Sequence, residues 1–265
     1  MSRGLNWLRG LAGGNEQAGF PASVKVIDGE LGCRAARFIA VVPDATNPFP
    51  RARNGEVGLL EGWALAQAVD DAIEADRDGD KRVLVAVVDV PSQAYGRREE
   101  ALGIHQALAG AVDAYARARL AGHAVIGLLV GKAMSGAFLA HGYQAQRLIA
   151  LDDGGVMVHA MGKDAAARIT LRSVEDLEVL AAKVPPMAYD LENFASLGLL
   201  WERVKVDAVE QPDDADVARV RECLMRAVVD IGSSTGLAGR LGAQNRAASS
   251  KVREMLRAQW SSLLG

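Results

Sequence analysis

The chain of 265 residues contains only two cysteines, Cys33 and Cys223, and four histidines, His105, His123, His141 and His159. The cysteines lie far apart and form no CxxC, so neither a disulfide framework nor a zinc cluster is signalled, and a reducing cytoplasm is the expected compartment. The histidines are evenly spaced, but their flanking residues do not repeat and they fall on different elements, so no HxxxH-type metal pair exists. There is no GxSxG nucleophile elbow, no GxGxxG after the first strand and no GxxxxGK[ST], which removes Ser-His-Asp hydrolysis and the usual backbone cradles for dinucleotides and ATP. Lys132, in VGKAMSG, is not a Walker lysine. The N-terminal MSRGLNWLRGLAGG is too short and too interrupted by glycine for a signal peptide or a membrane span, so no membrane partner is expected. A formal charge of −3 and a pI near 5.9 leave no basic footprint for nucleic acid.

What is present is apolar material: half of the residues are hydrophobic, enough for one large core without metals or disulfides. A loosely held leader is expected over residues 1–20, Trp7 included, followed by a single domain over 21–265. Val24 to Ile27 and Arg37 to Val42 read as a hairpin, with Asp28-Gly29 and Gly32 between them. Glu56 to Ala75 follows a helical repeat. Val83 to Val90 is an apolar, β-branched run of the kind buried on both faces of a parallel sheet. Arg97 to Leu120 reads as one helix, Val125 to Val130 as a buried strand, and Arg147 to Leu151 and Val156 to Met161 as two further strands. From Gly162 onward the pattern is helical: Asp164 to Thr170, Val174 to Ala182, Met187 to Ser196, Asp213 to Ile231 and Leu237 to Leu264, with one more strand at Trp201 to Val206. The order β, α, β, β departs from a doubly wound nucleotide fold and points to a spiral of small sheets.

The stretch with the most chemical content is Ala124 to Gly142. A buried strand runs into the small-residue turn Gly131 to Gly136, and an apolar helix follows. The first backbone N–H groups of a helix have no intrahelical partner, and small side chains let a ligand oxygen approach them. The backbone N–H groups of Ser135, Gly136 and Ala137 are therefore candidate oxyanion donors. The side chains of Ser135, His141, Tyr143, Gln144 and His159 are the polar groups that the pattern places near them, and such a site acts mainly by stabilising negative charge.

Three blocks occur in order: VVDVPSQAYGRREEALGI (Val87 to Ile104), GLLVGKAMSGAF (Gly127 to Phe138) and VMVHAMGKDAAARI (Val156 to Ile169). Together they resemble the carboxyltransferase branch of the crotonase-like superfamily, and within it the gamma subunits of biotin-independent malonate decarboxylases, over most of the chain from about Val24 onward. The resemblance implies an α/β fold, a crotonase-like ββα spiral with C-terminal helices. It also implies work beside a homologous beta subunit and further decarboxylase subunits. Malonyl thioester on an acyl carrier protein would lose carbon dioxide to give the acetyl thioester. The reacting group would ride on the carrier's phosphoribosyl-dephospho-coenzyme A arm, with no cofactor bound covalently by this chain. The family's Gly-Gly-Ala loop matches Ser135, Gly136 and Ala137, with serine in place of the first glycine. Tyr143, His159 and His141 remain as candidate acids to protonate the enolate, and no coenzyme A contact is assigned here.

Other readings share these blocks. An alpha-type subunit of a biotin-dependent carboxyltransferase would accept a carboxyl from carboxybiotin, and a non-catalytic scaffold would only stabilise the beta subunit. A free-standing hydratase would need paired carboxylates, for which Glu99 and Glu100 are the available residues. Finally, Val217 to Gly265 carries eight Lys and Arg against Glu222, Asp230 and Glu254. Its apolar faces include Leu256 and Trp260, a combination expected at an interface with the beta-like subunit.

Overall fold

The computed structural model describes residues 2–264. Among these, seven strands form one sheet: β1 (Val24–Leu31), β2 (Arg34–Val41), β3 (Val83–Val90), β4 (Val125–Met134), β5 (Arg147–Leu151), β6 (Met157–His159) and β7 (Glu202–Val204). The order is β1-β2-β3-β4-β5-β7, with β6 paired to β4 off this path. Only β1 and β2 run antiparallel. All of β3 except Asp89 is buried, which is why its sequence shows no polar alternation. The expected hairpin is present, but its turn lies at Gly32-Cys33, where Gly32 has φ +64°. Asp28 and Gly29 pair within β1 against Arg37 and Ala36. Asp28 is tolerated in the strand because its carboxylate accepts both Nε and Nη2 of Arg37 at 2.7 Å.

The architecture turns on β4. Its first half, Ile126 to Leu129, sits between β3 and β5. The register with β3 then shifts between Val88 and Val90, and Lys132 to Met134 take β6 as partner. The expected loop from Gly131 to Gly136 is therefore strand as far as Met134. The small size of Gly131 serves this shift, since a Cβ there would lie 2.1 Å from Oδ1 of Asp89. That same oxygen accepts the Lys132 N–H at 3.1 Å. β4 thus exchanges partners along its length, from β5 to β6, and the sheet branches there, as a ββα spiral requires.

Helices cover the sheet. The leader contradicts the expectation of a loose segment: α1 (Arg3–Ala12) buries Trp7, Leu8 and Leu11 completely in the main core. The Trp7 indole N–H donates to the Val209 carbonyl at 2.7 Å, so the aromatic body is dry and its polar edge is satisfied. Burial of each such side chain contributes about 1.5–3 kcal/mol, which a glycine-rich flank does not offset. α2 (Leu59–Ala75) packs on the long helix α4 (Ile104–Leu120), which is separated from α3 (Arg97–Ala101) by Gly103 at φ +83°. The expected single helix from Arg97 to Leu120 is thus broken by a left-handed glycine. Next come α5 (Ser135–Ala140), α6 (Lys163–Thr170), α7 (Val174–Ala181) and α8 (Leu191–Ser196).

The two C-terminal helices differ. α9 (Asp214–Ile231) buries Val220, Cys223, Leu224, Ala227, Val228 and Ile231 in the core, so the interface expected over Val217 to Gly265 does not include its apolar face. The helix expected from Leu237 begins only at Ala247, as α10 (Ala247–Leu264), after two short 3-10 turns. Among the described residues no helix is long and apolar enough to cross a membrane.

Candidate functional site

The end of β4 delivers the chain to Ser135, which stands at φ +57°, in the left-handed region that side chains other than glycine seldom occupy. This is the position of the first glycine in the Gly-Gly-Ala pattern, and the backbone here shows why glycine suits it. Serine is held by its own hydroxyl, which donates to the Ala160 carbonyl at 2.6 Å. Because Met134 pairs in register with His159 at the end of β6, the Ser135 turn and the His159-Ala160-Met161 turn are tied together. Gly136 and Ala137 follow in the first turn of α5, with Ala137 fully buried.

The Gly136 N–H already has a partner in this arrangement. It donates to Oε1 of Gln93 at 2.8 Å, a residue that the sequence reading did not select. Gln93 lies just after β3, in a segment anchored by Val57 N–H to the Ser92 carbonyl and Ala94 N–H to the Val57 carbonyl. A neutral side-chain carbonyl thus occupies the position in which a ligand oxygen would accept this bond. The sequence signal for it is its place in the first block, just past the Val-Pro end of β3, the strand next to β4.

The three candidate acids separate. His159 is half-buried and stacks on Tyr189, ring centroids 3.8 Å apart. Its Nδ1 lies 2.9 Å from the Met161 carbonyl, and burial lowers its pKa, so the ring is neutral at neutral pH. His141, by contrast, is completely buried. Its Nε2 is 3.1 Å from the Val87 carbonyl, which only accepts, so Nε2 carries the proton and Nδ1 accepts from the Tyr115 hydroxyl at 3.1 Å. Desolvation lowers its pKa to about 4. His141 is therefore a satisfied core residue and not a proton donor to a ligand. Tyr143 lies past the other end of α5, roughly 9 Å along a six-residue helix. There it packs edge-on against Phe138 and beneath Arg240. Gln144 belongs to that same far end.

A cleft of about 650 Å³ opens beside β6. Tyr189, Met157, Leu177 and Leu191 form its apolar wall, and its rim holds Asp152, Asp153, Glu178, Asp190 and Glu192 against Lys163 and Arg203. Lys163 is already paired with Glu178, and Arg203 with Asp152. The surplus of negative charge disfavours phosphate groups in this cleft. Glu99 is buried and Glu100 exposed, and as neighbours on α3 they point apart, so they form no paired acid for a hydratase. Among the described residues no cluster of His, Cys, Asp and Glu could hold a metal.

A parallel sheet that branches at its central strand, with a left-handed turn entering a short helix beside a second strand end, defines a crotonase-like protein of the carboxyltransferase type. The match is specific: the family model for the malonate decarboxylase gamma subunit, MdcE, covers residues 52–260. The chain belongs to the malonate decarboxylase gamma subunit family. It is 71% identical to a chain of a Pseudomonas malonate decarboxylase hetero-tetramer solved in complex with coenzyme A, with a TM-score of 0.95 over 98% of this chain and all of that one. It is 68% identical to a chain of the Pseudomonas MdcD-MdcE hetero-dimer, with a TM-score of 0.91 over 98% of this chain and 99% of that one. It is also 33% identical to a malonyl-S-ACP:biotin-protein carboxyltransferase, MADD, from Malonomonas rubra, across 83% of this chain and 74% of that protein.

Proposed function

We propose that this chain works with a homologous beta-type subunit to convert malonyl-S-acyl-carrier-protein into acetyl-S-acyl-carrier-protein and carbon dioxide. The observation that carries this reading is the Ser135-Gly136-Ala137 turn. It lies at the ends of β4 and β6, in the position of the family's Gly-Gly-Ala loop, and presents a backbone donor to a carbonyl oxygen. Family membership and the hetero-oligomeric Pseudomonas relatives support the pairing.

In the reaction the bond between the malonyl methylene carbon and the carboxylate breaks. Its electron pair moves onto the thioester carbonyl as an enolate oxygen, and carbon dioxide leaves. A backbone N–H such as that of Gly136 stabilises the enolate more than the neutral thioester, because a hydrogen bond to a charged acceptor is roughly twice as strong as a neutral one. Removing one donor of this kind costs about 2.7–4 kcal/mol of transition-state stabilisation. The enolate carbon then takes a proton. His159 is the candidate that strand pairing brings to the turn, and as a neutral imidazole it positions a water or a partner's acid better than it donates. The acidic cleft does not suit the phosphates of the phosphoribosyl-dephospho-coenzyme A arm, so the arm lies on the partner subunit. Turnover takes place in the reducing interior of the cell.

The test is reconstitution. The chain alone should release no carbon dioxide from malonyl-S-carrier protein, and the chain with its beta-type partner should release it whether or not avidin is present. The Malonomonas relative favours one second reading, transfer of the carboxyl to a biotin protein, and loss of turnover with avidin would select it. Robust turnover by the single chain would sink the two-subunit proposal.

A further inference from the structure

Two features of the described residues stand out: a bare helix, and a pair of buried arginines that meet only neutral groups, among them Gln144, whose Oε1 lies 3.5 Å from Nη2 of Arg119. The first is α10, an 18-residue helix whose side chains from Ala247 to Leu263 are exposed apart from half-buried Ser250. Val252, Met255, Leu256, Trp260 and Leu263, each 53–80% exposed, recur at helical spacing and form an apolar stripe. A helix of this length draws most of its stability from packing, and this one packs on almost nothing. The second feature is a corner of buried positive charge at its base. Arg119 and Arg240 are 9% and 7% exposed, and neither has a carboxylate partner among the described residues. Both Nε atoms are buried without an acceptor. Their Nη1 atoms reach only backbone carbonyls, Arg119 that of Thr235 at 2.6 Å and Arg240 those of Tyr143 at 2.9 Å and Ala145 at 2.6 Å. Burial holds the pKa of both below the ordinary arginine value, and for Arg240 the charges of Arg119 and Arg246 add to the effect. A guanidinium stays charged regardless, and a buried charge without a counter-ion is costly.

We propose that α10 and the Arg119–Arg240 corner form one docking surface, and that its occupant is an acidic, apolar-grooved face of the homologous partner subunit, whose carboxylates lie in the positive field of the two arginines. The inference rests on the two-subunit reading and deepens it by naming the surface and the chemistry it meets. A second copy of this chain is disfavoured as occupant, because α10 itself carries Lys251, Arg253 and Arg257 against Glu254, and two such helices repel. A carrier protein that comes and goes would leave Trp260 and Leu256 bare between visits, an aggregation hazard that a permanent partner removes.

The test compares assembly with stability. Leu256→Ala with Trp260→Ala should raise the dissociation constant for the partner subunit at least a hundredfold while leaving the melting temperature of the isolated chain within about 1 °C, because both side chains are more than half exposed in that chain. Arg119→Met should weaken the pair and make its assembly less salt-sensitive, without lowering the melting temperature, since it removes an unpaired buried charge. An unchanged elution profile of the mixed subunits with the double variant would overturn the proposal. So would a self-dimer of the wild-type chain that the double variant abolishes, or a variant that keeps the partner and loses only the carrier protein. If the variants break the complex but the wild-type complex never decarboxylates, the docking surface stands and the catalytic reading falls.

Discussion

The two ends of α5 lie only six residues apart, yet they do opposite things. At the N-terminal end a strained serine, an occupied backbone donor and the half-buried His159 leave polar groups that a ligand can reach and exchange. At the C-terminal end His141 is sealed between Tyr115 and the Val87 carbonyl, and Tyr143 is fixed under Arg240. The difference is whether each polar group's partner can be replaced. Gly136 bonds to a half-buried side chain, Gln93, whereas His141 bonds to Val87, a backbone group inside the sheet. A short helix thus keeps packing at one end and exchangeable chemistry at the other.

The sharpest way to break this comparison is Gly136→Val in the assembled complex. A Cβ there would already meet Oε1 of Gln93 at 3.3 Å, and a branched side chain fills the space a thioester oxygen needs. kcat should fall about 100- to 1,000-fold with assembly intact. A loss below threefold would falsify the role of the turn.

At the other end, the effect belongs to stability and pH. The folded-state pKa of His141 is depressed to about 4, so between pH 4 and the ordinary value near 6.5 the unfolded chain binds a proton that the folded chain refuses. Stability should therefore fall by ~3 kcal/mol as pH drops through that window, and change no further from this group below it. His141→Gln should flatten that part of the urea-midpoint-versus-pH curve while turnover per folded molecule persists. An unchanged curve would show that the ring is not sealed.

Ser135 gives a smaller contrast. Ser135→Ala keeps the left-handed backbone and loses the hydroxyl bond to Ala160, a cost of about 1 kcal/mol in chemical denaturation. Ser135→Gly loses the same bond but relieves the strain and should be near neutral. Equal losses in the two variants would mean that the φ of this residue carries no strain. The smallest effect is Gln93→Ala, which removes the neutral competitor for the Gly136 N–H. KM for malonyl-S-carrier protein should fall by about fivefold, the worth of one neutral hydrogen bond, with kcat moving less. A fall in kcat with KM unmoved would mean instead that Gln93 shapes the loop.

Much of this was legible from residue order. Apolar runs located β3, β5 and the start of β4, and three sequence blocks carried the resemblance to the family and so to the Ser135-Gly136-Ala137 turn. Local pattern misled where a small residue has more than one use. Gly131 reads as a place for a ligand and is instead the place where Asp89 bulges against β4. The glycines after α1 read as looseness, yet the helix before them is clamped into the core by Trp7.

Composition and periodicity by themselves determined that the chain is α/β and roughly where its strands and helices fall, because those properties depend on neighbours a few residues apart. Only the tertiary structure decided which of two 18-residue amphipathic helices, α9 and α10, lies in the core and which is bare. It also decided which of two histidines is sealed, and that Gln93 from one strand end caps Gly136 from the next. Each of these depends on what distant segments bring to the same point, and burial and hydrogen-bond partners are properties of that point rather than of the residue.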